Sequence, residues 1–198
     1  MEATDTTLAA LAILAQITAG VIAIALVVAL VSPRARKALV GSWDTLGTQA
    51  TWLAWVVAAT ATGGSLYFSE IADYLPCQLC WYQRICMYPL AIILLVGALL
   101  KDRRVSLYAA VFPIVGAAIS IHHIYIEVNP DKEGAACRAG VPCSVRWIDE
   151  FGYVTIPVMA LSGFALIAVL MVVSFIAGRR AAAAEAGDAP GSGSGAAG

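Results

Sequence analysis

Two pairs of cysteines, Cys77 with Cys80 and Cys137 with Cys143, carry the chemistry this sequence is able to do. Cys77-Gln-Leu-Cys80 is a CxxC, a spacing at which two sulfurs interconvert between dithiol and disulfide. A helix beginning near Cys80 sets its positive dipole end against that sulfur and favours thiolate over thiol. Arg84 follows one turn later, roughly 6 Å along the axis at about 1.5 Å per residue, on the same face. A guanidinium there stabilises a sulfur anion or a reduced acceptor beside it. Snorkelling at a membrane boundary explains the same arginine taken alone, and its register with Cys80 is what favours the chemical role.

The second pair, Cys137-Arg-Ala-Gly-Val-Pro-Cys143, contains Gly140 and Pro142, which let the chain turn back and close a disulfide. So small a loop removes little chain entropy from the unfolded state, so the bond suits exchange better than stapling. Structural staples are the commoner role for external cysteines, but a membrane bundle of this size has little need of them. Four thiolates also suit zinc; an oxidising face disfavours that, because exposed thiols there pair with one another, and no metal is expected. Cys86 lies six residues past Cys80, points away from it, and reads as a packing residue. His122 and His123 close a hydrophobic stretch, with Glu127 four residues after His123. An ionisable side chain at that depth makes His123 a candidate, against the ordinary alternative of a hydrogen-bonded structural histidine.

Positioning these residues takes a membrane. Of 198 residues, 61% are hydrophobic and 13% charged, which excludes an ordinary soluble enzyme. Twelve basic residues against thirteen acidic ones leave no polybasic reserve for nucleic acid. Five apolar stretches have the length of a span or nearly so: 8–31, 47–69, 85–100, 105–125 and 153–177. Acidic Glu2 and Asp5 precede the first, so it reads as a retained helix rather than a leader. Arg34, Arg36 and Lys37, then Lys101, Arg103 and Arg104, then Arg179 and Arg180 all fall on one side, which is therefore cytoplasmic. The N-terminus and both cysteine pairs face out, and the C-terminus faces in. Residues 144–151 space their apolar side chains as a short surface helix does. The Ala-, Gly- and Ser-rich end reads as a disordered cytoplasmic tail, given as 179–198. The expected fold is an all-α membrane protein, a four-helix bundle over 47–178 with an additional N-terminal transmembrane helix and cytoplasmic loop over 1–46.

The run Cys77-Gln-Leu-Cys80-Trp-Tyr-Gln-Arg84-Ile, the following Met87-Tyr88-Pro89, the His123 to Glu127 helix end, and Cys143-Ser leading to Phe151-Gly-Tyr-Val-Thr-Ile-Pro157 resemble the disulfide bond formation protein B family, especially its short BdbC-like branch. The resemblance covers about residues 48–177, four segments agreeing in order. It implies a bacterial inner-membrane thiol:quinone oxidoreductase that reoxidises a DsbA-like, thioredoxin-fold partner outside the cytoplasm and delivers two electrons to ubiquinone or menaquinone. By the same resemblance Cys137 takes the mixed disulfide with the partner, Cys143 attacks Cys77, and Cys80 donates to the quinone, with Arg84 and His123 beside it. The first span lies outside the family pattern. Two other readings stand beside this one: a quinone reductase like vitamin K epoxide reductase or a CcdA-like electron exporter, and a membrane scaffold with locked disulfides. Cysteines reachable from both membrane faces, or buried at mid-membrane, mark an exporter, and bridges resistant to mild reduction mark a scaffold.

Overall fold

The computed structural model describes residues 2–138 and 140–187, with backbone alone at residues 2, 36–46, 48, 136 and 138. Five long helical segments run α1 (Glu2–Val31), α2 (Pro33–Glu70), α3 (Gln78–Leu99), the α4 (Val105–Ala109) and α5 (Val111–Val128) pair, and α7 (Ile156–Gly187). A short 3-10 turn at Pro130–Lys132 and the four-residue α6 (Ala135–Arg138) fill the connection between α5 and α7. No strand occurs among the described residues, only an isolated antiparallel bridge between Glu150 and Val154.

Local chemistry sets the boundaries. Ser32 caps α2, its Oγ accepting the Ala35 amide, and Pro33 at the first helical position cannot continue α1. The fourth expected span is one membrane passage in two pieces, broken at Ala110, because the Pro113 ring occupies the space of the Ala109 carbonyl three to four residues back. Among the described residues, four helices, Ala3–Val31, Gln78–Leu99, Val105–Val128 and Ile156–Gly187, are long and apolar enough to cross a membrane. The 47–69 stretch is helical too, but its threonines, glycines and tryptophans make it less apolar than the other four. One of its faces packs inward: Ala50, Ala54 and Ala58 form a buried stripe of small residues, which lets neighbouring backbones approach.

α2, α3, α5 and α7 close a ring in which each touches the next, and α1 lies outside the ring in the groove between α2 and α7. The main core joins Leu90 and Leu94 of α3 to Phe164, Ile167 and Met171 of α7, all essentially inaccessible. Cys86 is buried in it, as a packing residue should be. Gly116 is required where α5 crosses α7, since a Cβ there overlaps the Phe164 ring. Against α7, α1 sets buried Ala9, Ala12 and Ala19, and Gln16 donates to Ser162 at 2.9 Å. Its other side, with Ile17, Val21 and Ile24 exposed, is left for lipid. The molecule is a multi-pass helical membrane protein.

Two expectations change. Residues 144–151 form turns rather than a surface helix: Phe151 and Gly152 take positive φ (54° and 76°), which reverses the chain and pairs Glu150 with Val154. α7 also continues as helix through Gly187, where the alanine run 181–184 supplies high helix propensity. Residues 188–198 of the expected tail lie outside the described residues.

Candidate active site

Both cysteine pairs sit at one end of the bundle. Asp5, near the start of α1, accepts a hydrogen bond from Tyr74 at 3.3 Å, so the N-terminus shares that end. The Arg103–Glu185 ion pair marks the other end.

α3 begins one residue after Cys77, which is its N-cap; the Cys77 backbone is extended, and its Sγ accepts the Cys80 amide at 3.4 Å. The helix N-terminus therefore acts on Cys77, not on Cys80 as the sequence suggested. The two sulfurs lie 3.2 Å apart, in hydrogen-bond contact and unbonded. His123 Nε2 approaches Cys77 Sγ at 3.6 Å and the Cys143 carbonyl oxygen at 3.0 Å. A carbonyl only accepts, so Nε2 carries the proton and offers it to the carbonyl and the sulfur together. The hydrogen bond with Cys80, then the imidazole, then the Cys80 amide pull the Cys77 thiol down from 9.0 to about 4, against the opposing effect of burial.

Cys137 and Cys143 form a disulfide with Cα atoms 5.4 Å apart. With Cys137 and Cys143 bonded to each other, Cys77 and Cys80 are the free thiols of this cluster. The bridge shares one buried cluster with Cys77, Leu79 and Ile126, against which Cys80 also packs. The sequence offered no sign of Glu133, whose Oε1 accepts the amides of Cys143 and, at 3.1 Å, Ser144, fixing the loop at the second sulfur. Glu127 does not pair with His123; it accepts from Thr155 at 2.8 Å, tying α5 to the start of α7.

On the side of Cys80 away from this cluster, the helices form a half-open cavity of about 360 Å³. Cys80, Gln83 and Arg84 line it, along with Tyr88 and Met87; Cys77 and His123 do not. Arg84 Nη2 donates to the Ser65 carbonyl at 3.1 Å while its guanidinium lies 5.2 Å from the Trp81 ring centre, and Tyr88 donates to Ser65 Oγ at 3.2 Å. These contacts fix the cation at the wall of the cavity that Cys80 shares. Gln83 donates to Ser120 at 3.0 Å, joining α3 to α5. Of the six residues singled out by sequence, the four cysteines and His123 meet in one cluster, and Arg84 joins Cys80 at the cavity.

The disulfide bond formation protein DsbB family model matches residues 47–173. Disulfide bond formation protein C of Bacillus subtilis (strain 168) is 49% identical over 121 residues, 61% of this chain and 88% of that protein. A probable disulfide formation protein C from Halalkalibacterium halodurans is 49% identical over 114 residues, 57% of this chain and 83% of its own length. A probable disulfide formation protein C 2 from Bacillus cereus (strain ATCC 10987 / NRS 248) is 42% identical over 119 residues, 60% and 86% of the two chains. No solved structure matches. The family match takes in part or all of each ring helix and every cysteine, and leaves out α1. The chain belongs to the DsbB family and is a membrane oxidoreductase of disulfide bond formation.

Proposed function

We propose that this protein is a thiol:quinone oxidoreductase that reoxidises a DsbA-like, thioredoxin-fold disulfide donor outside the cytoplasm and passes two electrons through its two cysteine pairs to ubiquinone or menaquinone. The observation that carries the reading is the two-sided placement of the CxxC: Cys77 is buried with the Cys137–Cys143 bridge, while Cys80 lines the cavity with Arg84. The cavity's residues fit a quinone. A thiol, an amide and a guanidinium stand where a ring and its carbonyl oxygens need polar partners, and the remaining wall is largely apolar, as a polyprenyl tail needs. When bound, a quinone supplies the capacity to accept two electrons and two protons.

The protein's own steps are thiol–disulfide exchange. A partner thiolate attacks Cys137, the bond to Cys143 breaks, and Cys143 leaves as a thiolate. With the inner pair oxidised, Cys143 attacks Cys77 and releases Cys80. The partner's second thiolate then attacks its own sulfur in the mixed disulfide, freeing Cys137, and Cys137 attacks Cys143, freeing Cys77. The partner ends as a disulfide, the outer pair is restored, and the inner pair holds the two electrons as the dithiol. His123 and the Cys80 amide stabilise the sulfur released last, which makes Cys77 the better leaving group. Cys137 and Cys143 are 6% and 1% exposed, so the partner's access requires the 133–143 loop to move, and Cys137 is the sulfur met first.

Basic residues at the other end, Arg34, Lys101, Arg104 and Arg179 among them, support a cytoplasmic placement of that end and an extracytoplasmic placement of both pairs. The fifth cysteine, Cys86, is buried in the core and offers no sulfur at the cytoplasmic end for an exporter. The test is turnover: purified protein, a reduced thioredoxin-fold partner and quinone should give quinone reduction that Cys80→Ser abolishes. Unchanged turnover in that variant rejects the proposal.

A further inference from the structure

α1 lies outside the family match, yet it builds one wall of the cavity beside Cys80. Leu8, Leu11, Leu14 and Ala15 line it, beside Val57 of α2 and Met159 of α7. Leu8 reaches so close to Gly64 that a Cβ there would lie 3.3 Å from its Cδ2, tighter than ordinary packing. Thiol, amide and guanidinium come from α3, whereas the α1 contribution is hydrocarbon apart from Thr18. The two sides thus match the two halves of one molecule, a reducible polar ring and a long apolar chain.

The same helix is fastened across the cavity's outer end. Asp5 accepts from Tyr74, in the segment that leads into Cys77. The Tyr74 ring stacks on Phe68 of α2, 5.9 Å between centres and 27° apart in plane, and on Trp147 of the second loop, 5.4 Å and 13°. Phe68, Tyr74 and Trp147 all line the cavity. Asp5 is 8% exposed, and its other carboxylate oxygen has no hydrogen-bond partner, so α1 buries a polar group to make this connection.

We propose that α1 is part of the acceptor site: its Leu8, Leu11 and Ala15 face holds the tail of a polyprenyl quinone whose ring lies by Cys80 and Arg84, with Asp5, Tyr74 and Trp147 closing the outer end. This rests on the acceptor reading above. It makes quinone affinity in this protein depend on a helix that the family match leaves out.

The experiment is equilibrium binding to the purified full chain, followed by tryptophan fluorescence quenching, with decylubiquinone and with the same dimethoxy-methyl ring lacking a tail. Ala15→Phe narrows the tail region, Asp5→Asn weakens the fastening, and Ile24→Phe, on the lipid side of α1, is the control. Ala15→Phe should weaken decylubiquinone by about tenfold, the scale of one overpacked apolar contact, and leave the tailless ring unaffected. Asp5→Asn should weaken both probes, and Ile24→Phe neither. Far-UV circular dichroism should match wild type in all three, showing that they are folded. Equal decylubiquinone affinity in wild type and Ala15→Phe overturns the role of α1 and leaves the electron path standing. Failure of wild-type protein to bind either probe overturns the acceptor reading, and this inference with it.

Discussion

One imidazole nitrogen of His123 lies 3.6 Å from the sulfur of Cys77 and 3.0 Å from the carbonyl oxygen of Cys143, so a single side chain touches the inner and the outer cysteine pair. His123 is 2% exposed and projects from α5, while Cys77 and Cys143 belong to separate loops. Replacing it with alanine removes a hydrogen bond to a sulfur anion, an interaction of about 1.5–3 kcal/mol. We expect His123→Ala to slow transfer between the pairs, seen as accumulation of the partner mixed disulfide in single-turnover quenches. Attack on the outer bridge should proceed at the wild-type rate. An unaltered distribution of trapped species rules out a role for the imidazole in the transfer.

The Cys77 thiol titrates near 4 rather than at its ordinary 9.0. Its folded value is depressed, so thiolate stabilisation of the reduced protein is fully present above about pH 9 and is lost as pH falls through about 4. Ultraviolet thiolate absorbance of the reduced protein should persist through neutral pH and disappear near that lower value. Cys80→Ala deletes the largest cause and should move the transition upward. A transition near 9 in unaltered protein contradicts this arrangement.

Glu133 holds the loop at Cys143 through two backbone amides. Hydrogen bonds to a charged acceptor contribute about 1.5–3 kcal/mol each when shielded, and less when, as here, the acceptor is only half-buried. Glu133→Ala should free the loop and expose the bridge. The expected result is faster reduction of Cys137–Cys143 by dithiothreitol, with thermal stability of the helices little changed. Slower or equal reduction excludes Glu133 as the restraint.

At the crossing of α5 and α7, Gly116 abuts the Phe164 ring. Gly116→Ala should destabilise the bundle by about 1–3 kcal/mol through overpacking, read as a lower Tm in detergent. Phe164→Leu in the same chain should recover part of the loss by making room. If the double variant is less stable than the sum of the two single changes, the contact is not the cause.

Composition made the membrane bundle legible, because runs of apolar residues near span length have few other uses. Spacing made the two cysteine pairs legible for the same kind of reason. The sulfur facing the α3 terminus was not, because it depends on whether the helix starts at Gln78 or nearer Cys80, a matter of two residues. At 144–151 the apolar spacing suits a helix, but the positive φ angles at Phe151 and Gly152 commit the chain to a turn. Tyr74, Trp147 and α1 come together from segments far apart in sequence, and no local signal encodes their meeting. Glu133 was hidden likewise, since its partners are backbone amides, which every residue possesses.

Cys86 lies in the same buried core to which α7 contributes Phe164 and Ile167. Until that core closes, a chain destined to handle disulfides carries an odd thiol less well shielded than in the finished bundle. Its accessibility to a thiol-alkylating reagent is therefore a clock for assembly: labelled chains are those caught before closure, and completed molecules are silent. The fifth sulfur, idle in catalysis, records whether the bundle was finished.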